Sequence, residues 1–359
     1  MTTLYSRDVI EQHSVDLRQF VGFRASTLPN GVRAIDAYNT SGLRYTLLVD
    51  RGLDIWTADF RGMPLTWVAQ GSPMPPDFGM PWLQQFPGGL LTTCGLTHVG
   101  PPERDEVTGE FRDLHGLYTR MRASEPSIQA GWEGDDYVLR LTATIAEGWL
   151  HGYQLRLTRT YELSMTAPEI RLHDRVTNLT DKPVPLMILY HFNLGYPMVR
   201  TGSRLEQTGT TMPRDDDARQ GLATWAEYHE AQPGYAEQVF FHHVRARDGE
   251  TEAALFTGDA LALGFRYNAD ALPYLTQWKN LRQGMYVHGI EPGNCIPEGR
   301  SAAEKSGRLH MLAAGETCDL QPITLTVYSQ AAEIAQLRER IEALRMGGTL
   351  ISGYRLPSG

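Results

Sequence analysis

Apolar and polar residues alternate along much of this chain, and the pattern predicts β-strands. Residues 137–145, 154–161 and 170–176 alternate with a period of two, which is typical of a sheet with one face in water. The continuous apolar runs at 184–189 and 285–290 predict strands that are buried on both faces. Further strands are expected at 31–37, 45–49, 88–98, 238–244, 265–267, 274–278 and 323–328.

The pattern changes only near the end of the chain. Residues 331–345 place Ile334, Leu337, Ile341 and Leu344 on one stripe, with charged residues opposite, and therefore predict a helix. We expect this stripe to pack on the domain, with a homodimer contact as the alternative. The many strands and the lack of a low-complexity linker favour one antiparallel β domain over residues 1–330, with the helix and tail, 331–359, packed against it.

Composition narrows the classes of function. A formal net charge of −9 argues against a nucleic-acid surface. No apolar run approaches the roughly eighteen residues that cross a bilayer, and we expect neither a signal peptide nor a membrane partner. Cys94, Cys295 and Cys318 are widely spaced, which favours reduced thiols over a disulfide framework or a zinc site. The expected location is therefore the cytoplasm, and no metal site is predicted.

Two residues are candidates for acid/base chemistry. His191 follows the first apolar run and precedes a Gly/Pro turn, a common place for a catalytic side chain. Glu291 follows the second apolar run in the same way. An imidazole and a carboxylate at two strand ends could form a general acid/base pair. The alternative is a hydrogen-bonded core histidine and a glutamate that caps a turn.

A long loop is the third feature that composition singles out. Residues 71–89 are rich in Gly, Pro and Met, and loops of this length are functional or disordered. Trp82, Phe78 and Phe86 argue against disorder. The acidic run at 213–217 lacks the spacing of a calcium loop and predicts a solvated turn.

Several motifs resemble those of the aldose 1-epimerase (galactose mutarotase) superfamily. Residues 190–194, Tyr-His-Phe-Asn-Leu, resemble its His-x-x-Phe-Asn-Leu-type signature. Residues 114–116, Leu-His-Gly, and 289–292, Gly-Ile-Glu-Pro, are similar to an earlier and a later motif, in the same order. The chain resembles the DUF4432 branch of this superfamily more closely. Four runs within residues 20–330 carry this resemblance: 50–55, 89–96, 273–279 and 291–294.

The resemblance implies an all-β fold, a galactose mutarotase-like β-supersandwich of two large antiparallel sheets with a sugar-binding cleft. It implies that His191 is the catalytic acid, that Glu291 is the base, and that His115 assists near the ring oxygen. No cofactor is implied. The expected partner is a small carbohydrate.

The chain departs from the family pattern at three places. The mutarotase arginine before the first histidine motif has no clear equivalent, since Cys94, Thr97 and His98 occupy that region. Residues 112–117 read Arg-Asp-Leu-His-Gly-Leu where mutarotases have Asn-x-Leu-His-Gly-Gly. The DUF4432 branch is expected to have Arg at position 117, and Arg120 is a candidate substitute.

Candidate substrate-binding residues complete the expectation. Sugars are bound by flat apolar faces and directed hydrogen bonds, so Trp278 or Trp82 could stack on the ring, although a buried Trp is more often core. Residues that could bond hydroxyl groups are Arg51, Asn193, Lys279 and His98.

The predicted function is interconversion of the anomers of a free monosaccharide or sugar acid. One alternative is an isomerase, epimerase or eliminase that acts on a keto or acidic sugar with the same His/Glu site. The other is a carbohydrate-binding or regulatory protein without catalysis.

Overall fold

The computed structural model describes residues 4–352, and most of them lie in antiparallel strands. In chain order the first strands are β1 Gly22–Thr27, β2 Arg33–Tyr38, β3 Leu43–Leu48, β4 Asp54–Phe60, β5 Met63–Pro64, β6 Leu91–Leu96, β7 Glu103–Arg104, β8 Phe111–Arg112, β9 Ser124–Glu133, β10 Asp136–Gly148, β11 Gln154–Ser164, β12 Glu169–Asn178 and β13 Val184–Gly195. The later strands are β14 Ser203–Glu206, β15 Thr210–Pro213, β16 Gln238–His243, β17 Arg245–Ala246, β18 Glu250–Thr257, β19 Leu261–Asn268, β20 Tyr274–Arg282, β21 Met285–Gly293, β22 His310–Leu312, β23 Thr317–Asp319, β24 Ile323–Tyr328 and β25 Thr349–Leu350.

Helices are few and mostly short. The α-helices within residues 4–352 are α1 Arg7–His13, α2 Asp216–Gln220, α3 Arg300–Lys305 and α4 Ala331–Gly347. Short 3₁₀ turns lie at Leu17–Gln19, Trp82–Gln84, Tyr118–Arg120 and Leu222–Thr224. The predicted all-β class is confirmed, and helix α4 begins at the residue where the apolar stripe predicted it.

Three sheets carry the architecture. Strands β1–β5 form a meander in chain order. A nine-stranded sheet runs β14-β18-β19-β24-β12-β11-β10-β9, with β23 beside β12, and this is the sheet in which the predicted period-two alternation of burial is clearest, as on β11. A seven-stranded sheet runs β15-β16-β20-β21-β13-β22, with β6 on the far side of β13 from β21.

Strand β13 is the centre of the seven-stranded sheet. It is buried at almost every position, with β6 and β21 paired along its two edges. The continuous apolar run therefore predicted its burial correctly. The strand extends past the apolar run to Gly195, so His191 lies inside it and not beyond its end.

A buried ionic cluster connects the three sheets. Arg159 of β11 bonds Asp174 of β12, in the nine-stranded sheet, with Nη2–Oδ2 2.7 Å. It also bonds Asp54 of β4, in the N-terminal sheet, at 2.7 Å, and Thr93 of β6, in the seven-stranded sheet, at 2.9 Å. Tyr190 of β13 donates to Asp174 at 2.9 Å. These polar groups satisfy one another where water is excluded.

The C-terminal helix packs on the outside of the nine-stranded sheet. Ile334, Leu337 and Ile341 contact Ala254 and Phe256 of β18, and this is the stripe that the sequence pattern identified. None of the helices in residues 4–352 combines the length and the apolar character needed to cross a lipid bilayer.

The acidic run at 213–217 is a helix start and not a simple turn. The Asp215 carboxylate accepts a hydrogen bond from the Ala218 amide and caps α2, as aspartate often does at this position.

Candidate active site

Two neighbouring strands bring His191 and Glu291 together. Phe192 of β13 pairs with Ile290 of β21, so the antiparallel register sets His191 opposite Glu291. His191 Nε2 lies 3.2 Å from Glu291 Oε1, and the side chains are only 8% and 3% exposed. The contact lacks the alignment of a hydrogen bond, and Glu291 Oε1 has no hydrogen-bond partner within residues 4–352. One hundred residues of sequence separate two groups that the sheet places in contact.

A glycine makes room for this pair. A Cβ atom at Gly289 would lie 2.6 Å from Glu291 Oε1 and 3.2 Å from His191 Cε1. Both distances are shorter than ordinary van der Waals contact, so a side chain here would displace the carboxylate.

Burial favours the neutral forms of both groups. It raises the pKa of the Glu291 carboxyl to about 8, with Arg214 opposing the shift and Glu237 adding to it. It lowers the pKa of the His191 imidazole to about 4. Near neutral pH, burial therefore favours an uncharged imidazole beside a protonated carboxyl group.

His115 approaches the pair from a loop. Its ring centroid is 6.3 Å from that of His191, and its φ of 55° is held by backbone hydrogen bonds to Gly95 and Gly100. The next residue, Gly116, has a φ of 77°, and a Cβ there would lie 2.4 Å from the Gly95 carbonyl oxygen. Gly116 is thus a steric requirement of this turn. Burial lowers the pKa of His115 to about 3, so the imidazole is neutral.

The three groups lie in a cleft of about 830 Å³ with aromatic walls. Trp82 stacks on Phe86 with ring centroids 4.5 Å apart, and Trp67 meets Trp278 edge to face at 6.3 Å. Trp278 also contacts the His191 ring at 5.4 Å. Such walls suit the apolar faces of a sugar ring.

Polar groups without partners converge on the cleft. Five buried atoms of residues that line it have no hydrogen-bond partner among residues 4–352: Trp82 Nε1, His115 Nδ1, His191 Nδ1, Thr276 Oγ1 and Glu291 Oε1. Buried polar atoms are satisfied in most of a folded protein, so a cluster of exceptions in one cleft indicates a polar ligand.

An ion pair that no sequence motif predicts borders the cleft. Trp278 Nε1 donates to Glu237 Oε2 at 2.8 Å, and Arg214 contacts the other Glu237 oxygen at 3.4 Å. Arg214 also bonds Asp215 at 2.7 Å. Glu237 lies in an exposed segment before β16, where no sequence motif distinguishes it.

The comparison with protein families identifies the chain. The model of DUF4432, a domain of unknown function, matches residues 29–327. This protein belongs to the DUF4432 family. No curated protein matches it with a significant score.

Solved structures share the fold of this DUF4432 protein. A putative aldose 1-epimerase of Klebsiella pneumoniae superposes with a TM-score of 0.81 at 23% identity, over 92% of this chain and 88% of its own. A galactose mutarotase-like protein of Clostridium acetobutylicum gives 0.59 at 14% identity, over 87% and 100%. A galactose 1-epimerase of Lactobacillus acidophilus gives 0.54 at 13%, over 86% and 98%. The galactose mutarotase-like fold predicted from the motifs is confirmed.

The structure does not place Arg51 of the DUF4432 protein in the cleft, contrary to the substrate-binding expectation. The side chain is fully buried beneath the 71–89 loop. It donates to the carbonyl oxygens of Thr119, Met74 and Gln85 at 2.5, 3.1 and 2.8 Å. With these bonds made, the guanidinium holds the loop, and Arg51 is not among the residues that line the cleft.

Arg120 holds the same loop from another side. It donates to the Met80 carbonyl at 3.3 Å and lies 3.1 Å from Asp113, whose carboxylate also accepts from the Trp82 amide at 3.2 Å. The two buried arginines thereby fix the loop that carries Trp82 and Phe86.

Asn193, Lys279 and His98 also lie outside the cleft lining. Asn193 donates to the carbonyls of Gly89 and His191, and Lys279 donates to the Thr224 carbonyl behind the sheet. Trp278 and Lys279 are adjacent in β20, so their side chains point to opposite faces, and only Trp278 faces the cleft.

His98, the last of these candidates, is buried beside the cleft. Its Nε2 bonds the Pro101 carbonyl at 2.9 Å and its Nδ1 accepts from the Arg300 amide at 3.3 Å. Of the substrate-binding residues expected from sequence, Trp82 and Trp278 line the cleft. No group of three or more His, Cys, Asp or Glu side chains in residues 4–352 is arranged to hold a metal ion.

Proposed function

We propose that this protein interconverts the anomers of a free sugar by general acid/base catalysis in the His191–Glu291 cleft. The observation that carries the proposal is the contact of 3.2 Å between the His191 imidazole and the Glu291 carboxyl group in a buried, aromatic-walled site. The fold, which other epimerase and mutarotase-like proteins share, supports the same conclusion.

Anomer exchange suits the His191–Glu291 pair, because the anomeric hydroxyl oxygen and the ring oxygen of a cyclic sugar are bonded to the same carbon. Ring opening removes the proton from the anomeric hydroxyl and adds a proton to the ring oxygen as its bond to the anomeric carbon breaks. An acid and a base that act together must therefore lie close to each other. The product is the open aldehyde, and closure on its other face gives the other anomer with both protons returned.

Substrate binding prepares the pair for this step. In the free protein Glu291 is protonated, because desolvation penalises its carboxylate. An anomeric hydroxyl that donates to Glu291 stabilises the ionised form, and the proton moves to His191. His191 is then the acid for the ring oxygen and Glu291 the base for the hydroxyl. His115 is neutral, its Nδ1 has no hydrogen-bond partner among residues 4–352, and in this proposal it forms a hydrogen bond near the ring oxygen of the sugar.

The test is exchange between anomers, followed by one-dimensional NMR over hexoses, pentoses, 6-deoxy sugars and uronic acids. We expect acceleration for one class of sugar. Glu291→Gln and His191→Ala should each lower kcat by about 10²–10⁴-fold, the usual contribution of a proton-transfer group.

The matched control is Glu227→Gln. Its side chain is 58% exposed and does not line the cleft, so exchange should be unchanged. Turnover at the wild-type rate in Glu291→Gln would contradict the proposal. Binding of a sugar without exchange, together with entry of solvent deuterium at carbon, would instead indicate an isomerase or eliminase.

A further inference from the structure

The cleft is larger than its reacting end requires. Pockets of about 300–1,000 Å³ enclose drug-sized ligands, and this cleft, at about 830 Å³, lies in the upper part of that range. A free hexose is much smaller than such a ligand. With its anomeric carbon between His191 and Glu291 at the floor, a hexose leaves the outer part of the cleft without a substrate group.

The cleft lining holds apolar side chains beside the polar Gln70, Arg214 and Glu237. We call its apolar part the apolar rim: it consists of Leu83, Met285, Pro101, Pro102, Leu114 and Pro297. Leu83 is 72% exposed and Met285 is 39% exposed. Leu83 follows Trp82 in the same short 3₁₀ turn, so the rim continues the aromatic wall. Exposed apolar side chains in the lining of a cleft indicate contact with an apolar group.

Charge in the cleft excludes an anionic group as the preferred occupant. Apart from histidines, Arg214 is the cation among the described residues that line the cleft, and Asp215 and Glu237 already neutralise it. An anionic sugar would have to compete with two carboxylates for one guanidinium. The second acid, Glu237, would also repel it.

We propose that the preferred substrate is an uncharged reducing sugar that carries an apolar substituent, such as an alkyl, acyl or aryl group, away from its anomeric carbon. The apolar rim binds that substituent. The inference rests on the proposed function, since ring opening requires a free anomeric hydroxyl at the floor and so directs any substituent toward the mouth.

The experiment compares three kinds of sugar in the anomer exchange assay. They are the hexose that the protein turns over fastest, its 4-O-butyl and 6-O-butyl ethers, and the corresponding uronic acid. Each buried methylene contributes on the order of a fourfold gain in binding. We therefore expect at least one ether to exceed the parent hexose by roughly tenfold or more in kcat/KM, and the uronic acid to fall below it.

Substitutions in the rim test where the gain arises. Leu83→Ser and Met285→Ser should each lower the ratio of kcat/KM between ether and parent severalfold, because they remove the apolar contact. Leu83 is exposed, so the substitution leaves the fold intact, and an unchanged melting temperature confirms this. The control is Leu150→Ser, also exposed at 80% but outside the cleft, which should leave the ratio unchanged.

The outcomes separate the two proposals. If no sugar exchanges, the proposed function fails. If the parent hexose exchanges but neither ether exceeds it, or the uronic acid is preferred, the proposed function stands and this inference is wrong. If Leu83→Ser converts a dimer into a monomer and leaves the ratio unchanged, the rim binds a second copy of the chain, and the inference is again wrong.

Discussion

Glu291 is held in an environment that opposes its own ionisation. A carboxyl group with so little water around it, and with a neutral imidazole as its neighbour, remains protonated to unusually high pH. The same burial that prepares the group for proton transfer therefore weakens the folded state when the group must ionise.

This produces a measurable dependence of stability on pH. The folded-state pKa of Glu291 is raised to about 8 from an ordinary value of 4.5. The resulting stabilisation is fully present below about pH 4.5 and is lost as pH rises through 8. Glu291→Gln does not titrate, so its free energy of unfolding should exceed that of the wild type at pH 8–9, by at most roughly 5 kcal/mol at 1.36 kcal/mol per pKa unit.

Urea denaturation from pH 4 to 9 measures this difference. The control is Asp259→Asn, whose side chain is 97% exposed, and its difference from the wild type should stay nearly flat. A flat difference for Glu291→Gln as well would mean that the buried carboxyl ionises at an ordinary pH.

Some residues of the candidate site could be predicted from the sequence, and others could not. The motifs identified His191, Glu291 and His115, which the structure brings to one cleft. The period-two rule already excludes Trp278 and Lys279 from a shared face, and applying it would have removed Lys279 from the candidates. The role of Arg51 could not be predicted, because its partners are carbonyl groups that any residue supplies.

Among the structural elements, the 71–89 loop decides the shape of the cleft. It supplies Trp82, Leu83 and Phe86 to the wall, yet it contains only one short helical turn. Its order comes from Arg51 and Arg120, which bind its backbone from below.

Arg51→Met tests this role. The change leaves three carbonyl groups without their donor, and each unsatisfied buried group costs about 1–3 kcal/mol. We expect a clear fall in melting temperature and faster hydrogen exchange across residues 71–89. Arg61→Met is the control, because Arg61 is exposed, donates one side-chain hydrogen bond within residues 4–352, to the Ser41 carbonyl, and otherwise lies over the Phe60 ring.

A different result would restore the original expectation for Arg51. If Arg51→Met kept the stability of the wild type and raised only KM for the sugar, the guanidinium would be a substrate contact. The loop would then need another explanation for its order.

Strands were easier to predict than the pairing between them. Alternation located β10, β11 and β12, and a continuous apolar run located β13, since burial on one or two faces leaves these patterns in the sequence. The pairing of β13 with β6 and β21 depends on contacts between residues about one hundred positions apart, which no local pattern encodes. The same is true of Glu237, which reaches the cleft from an irregular segment.

At the scale of the whole molecule, the three sheets meet at Arg159. Its guanidinium is fully buried and bonds Asp54, Asp174 and Thr93, one partner from each sheet. A charge at such a position is tolerated only when its partners are complete. Tyr190 lies in β13, next to His191, and Thr93 lies in the neighbouring strand β6. The cluster therefore also fixes the sheet from which His191 projects.

Arg159→Met should therefore destabilise the whole protein. It leaves two buried carboxylates without a cation, and breaking a buried pair in this way costs about 3–5 kcal/mol. Guanidinium denaturation should show one transition at a lower midpoint. Arg140→Met removes an arginine that is 38% exposed and paired with Glu133 and Glu162, and should cost about 0–1 kcal/mol. Equal losses for the two variants would contradict a special role for the buried cluster.

Because the 71–89 loop is held through its backbone, its side chains can be substituted during evolution or by mutagenesis. Arg51 and Arg120 donate hydrogen bonds to the main-chain oxygens of Met74, Met80 and Gln85, and every amino acid provides such an oxygen. Side chains between these anchor points can be exchanged while the anchors persist. The sequence of the loop can therefore vary while its position is kept. Under the proposed function, libraries that randomise positions such as Leu83 should yield variants with new sugar preferences and the same His191–Glu291 pair.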